Sequence, residues 1–118
     1  RRANFEFYQR ELGNLAGVSF PMEIPDSFSN RWLTTVLIDP VKSGGVTRET
    51  VRLALEKFNI ETRPLWKPMH QQPVFKDCPA YTNGVPDELF EKGLCLPSGS
   101  NMNEETRAFV VSKFRELF

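Results

Sequence analysis

Between Ile60 and Phe75 the chain reads "IETRPLWKPMHQQPVF", a stretch that holds an arginine, a tryptophan, a lysine, the only histidine and three prolines. Proline fixes its own φ and restricts the residue before it. Pro64 and Pro68 therefore hold Trp66, Lys67 and His70 on an extended path that loses little entropy on binding. Arg63 offers a planar fork for a carboxylate or a phosphate, and Trp66 a flat face for stacking or for a sugar. His70 can hydrogen-bond or exchange a proton near neutral pH. A structural reading of the same residues stands beside this one, with Trp66 as a core plug, Arg63 in a surface pair and His70 as a bonded loop residue.

A second group is "SNRW", Ser29 to Trp32, where Asn30 and Arg31 lie at the mouth of an expected central strand and Trp32 follows them. Side chains at strand ends often face a site, although Asn30 can equally terminate the loop before it. "CLPSGSN" lacks the spacing of a phosphate-cradling loop, so Ser98, Ser100 and Asn103 read as helix-capping residues. Glu104 and Glu105 read as acids favoured at a helix N-terminus rather than as an acid/base pair. One histidine leaves too few partners for a triad or a metal site, and no catalytic, cofactor-binding or metal-binding residue is assigned.

The elements that must carry these residues follow from periodicity. Phe5, Tyr8, Leu12 and Leu15 are spaced as one face of a helix that opens without a capping residue, as if cut in midstream, and should stop between Gly13 and Gly17. Arg31 to Asp39, "RWLTTVLID", is rich in strand formers and apolar on both faces, which fits a central covered strand. Thr47 can cap a helix over 48–58 with Val51, Ala54, Leu55 and Phe58 as its stripe. "IETRPL" is short and extended, and the prolines after it exclude a helix. "VPDELFEKG" makes a helix with Pro86 near its start and Gly93 as its stop, followed by a buried strand "LCLP". Asn103 then caps a last helix whose packing face is Val110, Phe114 and Leu117. The alternation predicts one α/β domain over 1–118, a short sheet of about three strands packed with about four helices.

Composition removes several function classes. Lys and Arg number 15, as do Asp and Glu, so the formal net charge is zero and the basic footprint needed by nucleic acid is missing. No apolar run approaches the roughly 20 residues that cross a bilayer, and no signal peptide is visible, so no membrane partner is expected. Cys78 and Cys95 have neither a paired spacing nor a nearby histidine partner, so reduced thiols in a cytoplasmic protein are expected.

Together, "RRANFEFYQRELG", "SNRWLTTVLID", "TRETVRLALEKFNIETRPLWKPMHQQPVFKD" and "GLCLPSGSNMNEE" resemble the C-terminal part of the DegT/DnrJ/StrS family of pyridoxal-phosphate-dependent sugar aminotransferases. Within it the likeness is greatest to enzymes that aminate a UDP-linked 4-keto-6-deoxy-N-acetylhexosamine in bacillosamine-type pathways. It runs over nearly the whole chain, and "ETRPLWKPMHQQPVF" followed by "LCLPSG" carries its specificity.

The resemblance implies a bacterial, cytoplasmic enzyme of surface polysaccharide or glycan synthesis. Such an enzyme takes an amino group from an amino acid, glutamate by expectation, and passes it to the nucleotide-linked 4-keto sugar. This chain would be the small C-terminal domain of a fold-type I aminotransferase, in the α+β manner of such domains. The large domain with the Schiff-base lysine and the pyridoxal phosphate would lie outside it. None of Lys42, Lys57, Lys67, Lys76, Lys92 or Lys113 matches the Schiff-base motif, so these residues alone should bind no cofactor and be inactive. Arg63, Trp66 and His70 would border the cleft between domains, approached from the strand by Asn30, Arg31 and Trp32. The whole enzyme would be a homodimer. The competing expectation is a free-standing α/β binding or interaction module without catalysis.

Overall fold

A computed structural model describes residues 1–118. Four α-helices surround a four-stranded antiparallel sheet: α1 Arg2–Leu12, β1 Val18–Ser19, β2 Thr34–Ile38, α2 Arg48–Glu56, β3 Arg63–Pro64, α3 Val85–Lys92, β4 Gly93–Leu96 and α4 Glu104–Arg115. The strand order is β1-β2-β4-β3. The fold is thus the expected mixed one, with four strands rather than about three. The extra strand, β1, pairs Val18 with Ile38 and Ser19 with Leu37. Two residues are too few for any periodicity to announce.

Helix spacing builds the core. Phe5, Tyr8 and Leu12 of α1, Val51 and Leu55 of α2, and Val110, Val111 and Phe114 of α4 close over Val36, Ile38, Leu94 and Leu96 of the two central strands. Tyr8 is fully buried, and its hydroxyl donates to the Pro97 carbonyl at 3.0 Å, which meets the requirement that a buried polar group be paired. Burial pushes the Tyr8 phenol pKa up. Helix α3 lies against β2 and β4 but adds no residue to this core.

Several boundaries differ from the sequence reading, each for a local reason. β2 begins at Thr34, not Arg31, because Arg31 sits at φ 47 and Asn30 Oδ1 accepts from the Trp32 N–H at 3.1 Å, turning the chain just before the strand. α2 ends at Glu56, so Phe58 leaves its stripe and is 43% exposed, in an edge-to-face contact with Phe109. Leu117 lies beyond α4 and is only partly buried, and Val111 takes a place in the packing face. The prolines after β3 do exclude an α-helix, but Pro68 precedes one single-turn 3-10 helix, Met69–Gln71, and Pro73 starts another, Pro73–Phe75. β4 begins one residue early, at Gly93.

The caps follow their residue types. Thr47 Oγ1 accepts from the Thr50 N–H at 3.0 Å, and Asn103 Oδ1 accepts from the Thr106 N–H at 2.8 Å. Ser98, in contrast, is no cap. Its hydroxyl accepts from the Thr34 N–H at 2.7 Å and donates to the Leu96 carbonyl at 2.7 Å, holding the end of β2 against the end of β4.

Candidate functional site

Three strands set the position of the candidate residues. β2 and β3 flank β4, with Thr35 opposite Cys95 and Arg63 opposite Cys95 on its other side. Trp32 lies two residues ahead of β2 and Trp66 two residues beyond β3. The two indoles nonetheless meet, stacked with centroids 5.9 Å apart and planes inclined by 27°. Both stay exposed, Trp32 by 58% and Trp66 by 66%, so Trp66 is not a core plug. At ~25 cal/mol per Å² an indole that buried its roughly 200 Å² would contribute about 5 kcal/mol, much of which this pair forgoes.

The pair is anchored from below. Gly93 sits where a Cβ would run into the Leu65 side chain and the Leu89 carbonyl, so the glycine that stops α3 also makes room for the residue before Trp66. The Leu65 N–H donates to the Gly93 carbonyl at 3.2 Å. On the other side, the Arg1 guanidinium donates to the Trp32 carbonyl and, at 3.0 Å, to the Ser98 carbonyl. Helix α1, which lacks a side-chain cap, is thereby tied through its N-cap residue to the loop that carries Trp32.

Arg63 is exposed and its Nε donates to Glu61 at 2.8 Å, which is the surface pair of the structural reading. An exposed ion pair of this kind contributes about 0–1 kcal/mol, so it leaves the guanidinium available to exchange partners. Arg63 borders two clefts. One, of about 560 Å³, is polar and shared with Arg52, Glu56 and Thr62. The other, of about 500 Å³, is more apolar, with Leu33, Cys95, Met102 and Phe109 in its wall. His70 borders a different cleft, of about 910 Å³, with Met69, Tyr81 and Thr82.

Arg31 departs from the group. Its guanidinium lies 3.7 Å from the Phe5 ring centroid and donates to the Pro21 carbonyl at 3.0 Å, so it braces α1 rather than facing the tryptophans. Asn30 acts as a turn residue for Trp32. Of the six candidates, the structure brings Trp32 and Trp66 together directly and leaves Arg63 and His70 on separate clefts.

Sequence reasoning missed Asp87. In the first turn of α3, its Oδ1 meets His70 Nε2 at 2.8 Å and accepts from the Gln71 side-chain amide. The His70 ring, then Gln71, hold the Asp87 carboxyl pKa below its usual value. The "PDE" of a helix start was the available signal, but it points to a dipole effect and not to a histidine on another turn.

The family model of DegT/DnrJ/EryC1/StrS aminotransferases matches residues 1–115. The chain belongs to this family. Among curated relatives, it is 43% identical over 122 residues to EpsN of Bacillus subtilis (strain 168), named as a pyridoxal phosphate-dependent aminotransferase; the match covers all of this chain and 30% of EpsN. It is 24% identical over 118 residues to GDP-perosamine synthase of Escherichia coli O157:H7, again covering all of this chain and 30% of the relative. The solved structure of DesI in the presence of its TDP-sugar product superposes with a TM-score of 0.86 at 23% identity, over 98% of this chain and 29% of DesI, a likeness of fold. This member of the DegT/DnrJ/EryC1/StrS family thus spans about a third of the length of the relatives it matches.

Other charged groups have structural partners. Lys92 Nζ donates to Asp39 at 3.2 Å and to Glu88 at 2.9 Å, which raises the Lys92 pKa and lowers that of Asp39. Arg2 and Glu23 form a bond pair at 2.6 and 3.2 Å that lowers the Glu23 pKa to about 2. Cys78 is exposed, Cys95 is buried, and both are unpaired. No helix is long and apolar enough to cross a membrane.

Proposed function

We propose that these residues form the small domain of a pyridoxal-phosphate-dependent aminotransferase and line its substrate cleft. The reaction takes an amino group from an amino acid, glutamate in our reading, and delivers it to a nucleotide-linked 4-keto-6-deoxy sugar. The product serves bacterial surface polysaccharide or glycan synthesis in the cytoplasm, and the enzyme is a homodimer. Family membership and the sugar nucleotides in the names of GDP-perosamine synthase and of the DesI complex support the substrate class.

One observation carries the reading: two tryptophans from separate elements stack on each other and stay more than half exposed. A rigid apolar plane offered to solvent fits the flat faces of a pyranose or a nucleobase. Arg63, on β3 and paired only with the exposed Glu61, supplies the fork for a diphosphate or for the donor's carboxylate. His70 adds a polar contact, and Asn30 and Arg31 hold the Trp32 turn in place.

Lys92 and Lys113 do not fit an imine with the cofactor. An imine-forming lysine must shed its proton, whereas Lys92 lies between two carboxylates that raise its pKa and Lys113 donates to Glu116. In this reading the cofactor is held by residues outside these 118, and these residues alone are inactive. This chain's part is to bind, orient and exclude water.

The test is steady-state amino transfer by the full-length protein, with UDP-, TDP- and GDP-linked 4-keto sugars offered as acceptors and glutamate as donor. Turnover of at least one acceptor is expected, with KM raised in Trp66→Ala. Absence of transfer with every acceptor, in a protein that holds pyridoxal phosphate, would overturn the substrate class.

A further inference from the structure

We propose that Asp87 is a positioning residue. It fixes His70 as the Nε2–H tautomer, so that the ring presents Nδ1 to the ligand as an acceptor for a hydroxyl or amide N–H of the sugar. The inference rests on the reading that His70 contacts substrate, and it adds a residue and a direction to that contact.

The geometry is specific. A carboxylate is only an acceptor, so a 2.8 Å contact between Asp87 Oδ1 and His70 Nε2 places the proton on Nε2. In the neutral ring Nδ1 is then an unprotonated lone pair, and no protein group bonds to it. Which ring nitrogen is available to a ligand is set by the bond that the other one makes.

The arrangement is also braced. Asp87 sits in the first turn of α3, and Gln71 donates to the same carboxylate oxygen from the turn that carries His70. That turn starts after the buried Pro68, so neither end of the bond moves independently. His70 is about a quarter exposed and borders the cleft shared with Met69, Tyr81 and Thr82. The ring is thus held through Nε2 while the residue borders a cleft, as a contact that must discriminate donors from acceptors requires. A bare phosphate oxygen would meet a lone pair there, whereas a hydroxyl or amide N–H would meet its complement.

The experiment uses full-length protein labelled with 15N-histidine, with His70 resonances assigned by their loss in His70→Gln, at a pH where the ring is neutral. Wild-type His70 is expected wholly as the Nε2–H tautomer. Asp87→Ala should give a mixture in which Nδ1–H appears, while Gln71→Ala, which keeps the carboxylate bond, should not. In amino-transfer assays Asp87→Ala should raise KM for the sugar nucleotide by roughly 3- to 10-fold, the range for one neutral hydrogen bond, with kcat little changed. An unchanged tautomer in Asp87→Ala would overturn the positioning role. A changed tautomer with an unchanged KM would instead overturn the reading that His70 touches the substrate.

Discussion

The helical side of the sheet and the segment from β3 to α3 are built by opposite means. On the helical side, Tyr8, Leu12, Leu55 and Phe114 are fully buried and placed by helical periodicity against two short strands. Between β3 and α3, residues 65–84 contain no α-helix and no strand beyond Arg63–Pro64, and Trp66, Met69, Val74 and Tyr81 are exposed. There the backbone is ordered by proline, by two single 3-10 turns and by two side-chain bonds to Asp87. Burial supplies the stability of the first region, while the second leaves aromatic surface uncovered where a ligand can use it.

The two regions should therefore respond differently to truncation, and the largest contrast comes from the core. Phe114→Ala, which removes a fully buried ring, is expected to lower the unfolding free energy by about 3–5 kcal/mol in chemical denaturation. A loss under about 1 kcal/mol would mean that α4 is not part of the folding core. Arg63→Ala should show the reverse pattern. Stability stays within about 0.5 kcal/mol, and kcat/KM falls roughly 10- to 100-fold through loss of a charged hydrogen bond to substrate. A loss of stability without a loss of transfer would return Arg63 to a purely structural surface pair.

A smaller effect lies on the seam between the regions. Gly93→Ala should destabilise by about 1–3 kcal/mol, since the new methyl must displace Leu65 or the Leu89 carbonyl. It should also raise KM by shifting Trp66. Unchanged stability would show that the seam can relax.

The smallest effect is at the opposite margin, where Arg2 holds Glu23. Because the Glu23 pKa is depressed in the folded state, the stabilisation is present above the ordinary glutamate range and is lost as pH falls from about 4.5 towards 2. Glu23→Gln should flatten that part of the pH–stability profile. An identical profile in the variant would assign the acid loss to other carboxylates.

The same contrast explains what could be read in the sequence. The helices were legible because each repeats an apolar residue every three or four positions, and Thr47 and Asn103 announced their starts. β1 was not, because a two-residue strand has no period and forms only because Gly17, at φ 78, brings it against Asp39. Trp32 and Trp66 stood out by type, but their stacking depends on a turn at Arg31 and on the space left at Gly93. Both of these are tertiary. Arg31 was misplaced for the same reason: a positive φ sends its guanidinium to Phe5. The Asp87–His70 bond joins a 3-10 turn to a helix start, and nothing local to either residue signals it.

The most direct test of the central claim, that the stacked tryptophans form a wall of the substrate cleft, compares Trp66→Ala and Trp66→Phe in the full-length enzyme. Trp66→Ala is expected to lower kcat/KM for the sugar nucleotide about 5- to 10-fold, chiefly through KM, with Trp66→Phe close to wild type and both variants as stable as wild type. Wild-type turnover in both variants would contradict it, and the exposed pair would then face something other than the substrate.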